Sequence, residues 1–412
     1  MYFVYNILGI IITLISPLII LYRISIGKED YKRFKERYCI YKKTNTEKNL
    51  IWLHAASVGE LMSIIPLIKR FENDKKIKKI LLTTTTTSSA NIFKKLNFKK
   101  TIHKFFPLDT NIFSKKFVEF WKPQLAIFVE SEIWPMMFKN LNEMKIPIIL
   151  VNARITKKSY KRWNNLKKFS QDVFSKITLA LPQNIESKKY LKLLGVKKII
   201  LRGNLKFFGE KNKNLNLSNI KKKLKGRNLW CAASTHYNEE VTIGHLHKKL
   251  KMKNRKLLTI IIPRHINRSN EIINNLENID LKIHRHSSSN KITDETDIYL
   301  VDTFGEAKKF YNLSNITFMG GSLIPHGGQN PLEPARLNNF ILHGPHINNF
   351  KEVYNYLNKM RMTSLFKKTP NIEKLILNKL NKKISNTVTK KIYLIGDTIL
   401  KNNLSEIYKY IK

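Results

Sequence analysis

Acidic side chains are scarce in this chain: 30 Asp and Glu stand against 75 Lys and Arg, a formal charge of +45 over 412 residues. So large an excess invites a polyanion as partner. Recognition motifs for DNA or RNA are missing, however, and the lysines run along the whole chain among abundant Asn and Ile rather than clustering. That pattern reads as drift under AT-rich coding bias, on a surface suited to an anionic membrane or a phosphorylated lipid; no nucleic-acid partner is expected. Cysteine is nearly absent. Cys39 and Cys231 are far apart and unaccompanied, which argues against a disulfide framework or a thiolate metal site and fits a reducing compartment. Also lacking are a Walker-type phosphate loop, an HExxH motif, paired Cys/His ligand spacing, a tight Asp-x-Asp motif and short solenoid repeats. Neither metal nor cofactor is expected, so the chemistry falls to ordinary side chains.

Charge is missing altogether from Tyr2 to Tyr22, where Asn6, Thr13 and Ser16 are the clearly polar side chains. About 20 residues of helix cross a bilayer core of about 30 Å. A cleaved signal would have basic residues ahead of a shorter apolar core and a small-residue cleavage site, and neither is present. Arg23, Lys28, Lys32, Arg33, Lys35 and Arg37 follow, an asymmetry that places the rest of the chain in the cytoplasm. Residues 2–22 are therefore expected to be an uncleaved anchor, single-pass or monotopic, with Pro17 able to kink it. A buried core helix is the plainer alternative.

Beyond the anchor, short β-branched runs alternate with helix-length stretches. Strands are expected at Leu50–His54, Lys79–Thr84, Leu125–Val129, Ile146–Val151, Ile177–Leu181 and Lys198–Arg202. A second series is expected at Leu229–Ala232, Leu257–Pro263, Asp297–Val301, Ile316–Met319 and Phe340–His343. Runs this apolar read as parallel strands covered on both faces. The class is α/β, with two doubly wound, Rossmann-like domains facing a cleft. They are expected at 23–208 and 227–412, joined by a polar Lys/Asn-rich linker at 209–226.

Ligands of such sheets bind at the carboxyl ends of strands, so chemistry-bearing residues there are the candidates. Gly320-Gly321-Ser322 and His326-Gly327-Gly328-Gln329-Asn330-Pro331-Leu332-Glu333 follow the strand at Ile316–Met319. Their amides, with Asn330 and Glu333, suit the phosphate and ribose of a nucleotide sugar; a flexible Gly-rich loop is the bland reading. Ser57 and Glu60 have capping-box spacing, yet Glu60 also sits where a carboxylate could take a proton from an acceptor hydroxyl. Glu130 and Glu132 end another strand. Glu130 is the better candidate for orienting substrate or base, and Glu132 is expected to support the following helix start. Asn152-Ala153-Arg154 ends the next strand and could meet an anionic acceptor group or form an ordinary salt bridge. Lys206, after another strand, could neutralise a departing phosphate. Pro263-Arg264-His265 and Phe304-Gly305-Glu306 close two further strands and suit a phosphate, a base or a ribose.

Taken together, HAASVGE, FFPLDT, ESEIWP, NARIT, GNLKF, AASTHYNEE, IPRH, DTFGE, GGSLIPHGGQNPLEP and GPHINNFKE resemble one family, the 3-deoxy-D-manno-octulosonic acid (Kdo) transferases of lipopolysaccharide synthesis. The resemblance runs from about residue 23 to residue 355. It implies a two-lobed glycosyltransferase of the GT-B type with an N-terminal membrane helix. It also implies transfer of Kdo from CMP-Kdo to a lipid A precursor (lipid IVA) at the cytoplasmic face of the inner membrane. By motif position Glu60 looks like the family's general base, and Glu130 and Lys206 like its transition-state stabilising positions. Pro263, Arg264, Phe304, Gly305, Glu306, Asn330, Pro331, Leu332 and Glu333 match its CMP-binding segments. Phe304 stands where Met is usual and Gln329 where His or Asn is common; the last 55 or so residues have drifted most. Another GT-B enzyme using a UDP-sugar, a membrane-tethered polyanion binder and an inactive lipid-binding scaffold are the competing readings.

Overall fold

A computed structural model describes residues 2–41, 49–209, 216–366 and 370–411. The chain folds as two compact units, Met1–Phe208 with Gly396–Lys412, and Gly209–Ile395.

The first unit is built on six parallel strands: β1 (Leu50–His54), β2 (Lys79–Thr84), β3 (Thr101–Phe105), β4 (Leu125–Val129), β5 (Ile148–Ala153) and β6 (Leu179–Pro182). Their order is β3-β2-β1-β4-β5-β6. Successive side chains of a strand point to opposite faces. Accordingly Ile51 and Leu53 of β1 join Ile64, Leu67, Ile68 and Phe71 of the helix Val58–Asn73 on one face. Leu50 and Trp52 join Phe117, Trp121 and Phe128 on the other. With both faces covered, every residue of β1 is buried, which is why the run reads as continuously apolar.

The second unit carries seven parallel strands: β7 (Asn228–Thr235), β8 (Leu257–Pro263), β9 (Ile283–Arg285), β10 (Ile298–Leu300), β11 (Ile316–Met319), β12 (Phe340–His343) and β13 (Thr363–Leu365). Their order is β13-β12-β11-β7-β8-β10-β9. Three strands went unforeseen, β3, β9 and β13. All three are sheet edges, where one flank has no neighbouring strand to satisfy, and their sequences (TIHKF, IHR, TSL) are correspondingly polar or short. The expected strand at Lys198–Arg202 does not form a ladder; a single bridge, Ala180 to Ile199, is what remains. Lys198 and Arg202 instead reach Tyr410 and Glu406 near the chain end. β5 starts at Ile148 because Pro147 has no N–H to give a ladder.

The closing residues require a correction. The second domain was expected to run to residue 412, but Leu400 and Ile407 of the helix Asn386–Tyr408 are buried in the core of the first unit with Leu205. The Tyr408 hydroxyl donates to Asp74 at 2.7 Å. Gly396 is needed where this helix passes the chain, since a Cβ there would lie 2.2 Å from the Phe207 carbonyl oxygen. Within the expected linker, Ser218–Lys223 is helical; residues 210–215 lie outside the described residues.

The apolar N-terminal segment is a helix, Tyr2–Ser25, long and apolar enough to cross a membrane. One stripe packs on the first unit. The Tyr2 and Tyr5 rings meet Phe169, the Tyr5 hydroxyl donates to Asp109 at 2.9 Å, Gly9 faces Thr110 and Ser16 bonds the Tyr38 hydroxyl. These positions recur at helical spacing. Ser16 also donates to the Thr13 carbonyl, the group that Pro17 deprives of its usual partner. The opposite face exposes Phe3, Leu14, Leu18 and Leu21.

Asp109 couples this helix to the sheet. Its carboxylate accepts the N–H groups of Met136 and Met137 and so caps the helix Pro135–Glu143, whose own N-cap residue Trp134 contributes no side-chain bond. Loss of such a cap typically costs about 0.5–2 kcal/mol. Asp109→Ala should therefore lower the thermal unfolding midpoint of detergent-purified protein by about 2–8 °C, measured by differential scanning fluorimetry; an unchanged midpoint would remove Asp109 from this role.

Candidate active site

In the first sheet the chain runs from β1 outward to β3, then returns to β4 and proceeds outward on the other side. The carboxyl ends of β1 and β4 thus flank the switch point, where open α/β sheets bind ligands. Three glutamates meet there with three different fates.

Glu60 sits in the first turn after β1. Both halves of the capping box are present: Ser57 Oγ accepts the Glu60 N–H, and Glu60 Oε2 accepts the N–H groups of Ser57 at 3.2 Å and Ala56 at 2.7 Å. The structural role foreseen from spacing is real. It does not exhaust the residue, however. Burial, then the charges of Glu132 and Glu130, push its carboxyl up to about 7 against the pull of those two N–H bonds. A carboxylate poised near neutrality is matched to proton abstraction.

Glu130, the residue after β4, is buried and left-handed, with φ +54°. A non-glycine residue is held there only where surrounding bonds over-determine it. Its N–H donates to Val151 O and its carbonyl accepts from Arg154 N. Its Oε1 accepts from Lys206 Nζ at 2.7 Å and Asn152 Nδ2 at 3.3 Å. Asn152, fully buried with φ +50°, also accepts the Leu205 N–H at 3.0 Å. It thereby fastens the Asn204–Phe207 turn, and hence Lys206, to the ends of β4 and β5. Glu130 and Lys206, separate candidates in the sequence, form one ion pair. Asn152, read in the sequence only as part of the Asn152-Ala153-Arg154 segment, gains this bridging place through the irregularity at Val151/Ala153.

Glu132 differs from expectation. It accepts from the Trp134 indole N–H at 2.9 Å and bonds His54 Nε2 at 3.1 Å rather than supporting the next helix start, which Asp109 caps. His54 is fully buried against Phe106, and its Nδ1 bonds Thr83 Oγ1 at 2.9 Å. Ser131 Oγ donates to the Arg154 carbonyl.

In the second sheet the switch point lies between β7 and β11. The glycine-rich loop after β11 is here, and three of the amides the sequence suggested for a phosphate, those of Gly321, Ser322 and Leu323, are already engaged. The buried Glu239 carboxylate takes them: Oε2 accepts from Gly321 and His236, and Oε1 from Ser322 and Leu323, all within 2.7–3.0 Å. The local sequence gave no sign of this, since the partners are 82 to 84 residues away. Gly320 is required by close approach, as a Cβ there would stand 2.3 Å from the Ser234 carbonyl oxygen.

The remaining candidates ring the same edge of the sheet. Pro263 ends β8, and Arg264 follows it, exposed, its N–H on Thr235 O. Phe304 is 79% exposed and Gly305 has φ +89° with open space at its Cα. Asn330 Oδ1 accepts the Leu332 N–H and starts the helix Leu332–Arg336; Pro331 and Leu332 are buried beneath it. Glu306 pairs with Lys309, and Glu333 with Lys308, which joins the segments after β10 and β11 through one short helix. Among the described residues no group of three or more His, Cys, Asp or Glu is arranged to hold a metal ion.

Comparison with known proteins agrees with this layout. Residues 32–208 match the family described as 3-deoxy-D-manno-octulosonic-acid transferase (kdotransferase). The 3-deoxy-D-manno-octulosonic acid transferase of Rickettsia bellii is 36% identical over 346 residues, 83% of this chain and 82% of that one. That of Haemophilus influenzae is 32% identical over 351 residues, with the same coverage. A glycosyltransferase from Rickettsia africae shares the fold alone, at 11% identity and a TM-score of 0.57 over 89% of this chain and 99% of that one. With two Rossmann-like parallel sheets and relatives of this closeness, the chain belongs to the 3-deoxy-D-manno-octulosonic acid transferases, enzymes of the GT-B glycosyltransferase fold.

Proposed function

We propose that this enzyme transfers Kdo from CMP-Kdo to the lipid A precursor lipid IVA, inverting the anomeric centre, releasing CMP and using no metal. The observation that carries the reading is Glu60, poised near neutrality at the switch point beside the Glu130–Lys206 pair. The acceptor hydroxyl gives its proton to Glu60 as its oxygen bonds the anomeric carbon. The bond from that carbon to the phosphate oxygen breaks on the opposite side, and CMP leaves with the electron pair. Lys206 and Arg264 offset negative charge on the phosphate or the sugar carboxylate. Pro263, Phe304 to Glu306 and Asn330 to Glu333, around the second sheet's edge, hold the nucleotide. Domain roles follow: the first unit serves the acceptor, the second the donor.

The enzyme would work at the cytoplasmic face of the inner membrane, and of the two anchoring modes the docked stripe favours the monotopic one. A spanning helix meets lipid all round, whereas this one keeps its Tyr2–Ile20 stripe on the first unit and offers lipid its other face. With Cys at position 3 in place of Phe, an impermeant thiol reagent outside intact spheroplasts should leave the protein unlabelled; labelling would establish a span.

Wild-type protein in EDTA, given CMP-Kdo and lipid IVA, should release CMP and yield product heavier by whole Kdo units in a mass spectrum. Glu60→Gln should lower kcat about 10²- to 10⁴-fold with CMP affinity kept; full turnover would refute the base. Since the working base is the deprotonated form, kcat/KM should rise with pH through about 7. Glu132→Gln removes a neighbouring negative charge that holds the proton on Glu60, so this limb should move to lower pH. A limb that stays in place would assign it to another group.

A further inference from the structure

Resting on the donor reading above, we propose that His236 is a phosphate-binding residue of the donor site and takes up a proton when the nucleotide's phosphate docks. The place comes first. His236 follows β7 directly, on the flank of the second sheet's switch point, where a nucleotide phosphate is expected. The amides of Gly321, Ser322 and Leu323 beside it are occupied by Glu239, which leaves a side chain there as the suitable positive partner.

The surroundings of the ring fit that task. Gly321 lets it lie close: a Cβ on that residue, whose φ is +63°, would stand 3.2 Å from His236 Cδ2. Gln329 Nε2 is 3.2 Å from His236 Nε2. The His326 ring lies tilted against it at 4.2 Å between centroids, and His265 meets it edge-on at 6.0 Å. Arg264 and Arg268 add charge from the segment after β8. The acids nearby are already committed. Glu239 holds loop amides and the His236 N–H, while Arg268 is paired with Glu240 and Glu271. Arg264, in contrast, is exposed and makes no side-chain ion pair among the described residues.

Three imidazoles and a guanidinium thus face one another without a carboxylate to balance them. Burial and then the neighbouring His326, His265, Arg264 and Arg268 push the His236 imidazole down to about 4, so it is neutral near pH 7 in the free protein. A phosphate arriving among them, singly charged in the CMP-Kdo diester and dianionic in CMP, offsets the local positive charge and favours the imidazolium. Gln329 accommodates both states, because its amide can donate to a bare Nε2 or turn to accept from a protonated one.

Isothermal titration of the full-length protein in detergent with CMP, and with cytidine as the probe lacking phosphate, tests this at pH 7.0–7.5. Two buffers of different ionisation enthalpy give the proton count. Wild-type should take up a substantial fraction of a proton per CMP and none with cytidine. His236→Asn should bind CMP about 10- to 100-fold more weakly, lose the uptake and keep its cytidine affinity. CMP affinity within twofold of wild-type in His236→Asn, or unchanged uptake there, would overturn the proposal while leaving the CMP donor reading intact. Saturation by UDP but not by CMP or cytidine in wild-type would overturn the donor reading and this proposal with it.

Discussion

Three carboxylates crowded at one switch point cannot all behave alike, and the first unit is arranged around keeping them different. Glu130 is neutralised by Lys206 at 2.7 Å. Glu132 is tied to His54 and the Trp134 indole. Glu60 has two backbone N–H donors and, among the described residues, no cation paired with it, so its own burial and the other two charges act on it most strongly. A buried ion pair is rarely a net gain in stability, yet breaking one typically costs about 3–5 kcal/mol. The Glu130–Lys206 pair, with two left-handed residues holding it in position, is better understood as setting the electrostatics of its neighbour than as strengthening the fold.

The second unit solves a related problem with the opposite sign. Its loop amides form a concavity that would attract any anion, and Glu239 fills it from within. The loop is therefore held in one arrangement by a carboxylate of the chain itself. An internal carboxylate in this position favours rigidity of the loop over direct backbone recognition.

Much of this was legible in the sequence, for identifiable reasons. Strands buried on both faces, such as β1, β2, β8, β11 and β12, are marked by uninterrupted apolar runs, and their observed limits coincide with those expected. Residues at their carboxyl ends, Glu60, Glu130 and Arg264 among them, could be singled out by the rule that ligands bind there. The edge strands β3, β9 and β13 escaped notice because their sequences are polar or short, whereas the edge strand β6, buried and apolar, was foreseen. The Glu239 clamp, the Glu132–His54 contact and the Asn152 bridge escaped as well. Each joins residues far apart in sequence through one or two hydrogen-bonding side-chain atoms, and no local periodicity encodes such a meeting. The drifted closing helix concealed its destination for the same reason: Leu400 and Ile407 look like any apolar stripe until the core they fill is known.

That helix has a consequence for how the protein is made. The hydrophobic interior begun by residues 50–205 is completed by side chains near position 400. About 190 residues, the entire second unit, must leave the ribosome in between, which takes roughly 10–40 s at typical translation speeds. During that interval the nascent first half carries an open apolar seam beside its lipid-seeking N-terminus, and early attachment to the bilayer, or a chaperone's cover, is what would keep it from aggregating until the chain end arrives.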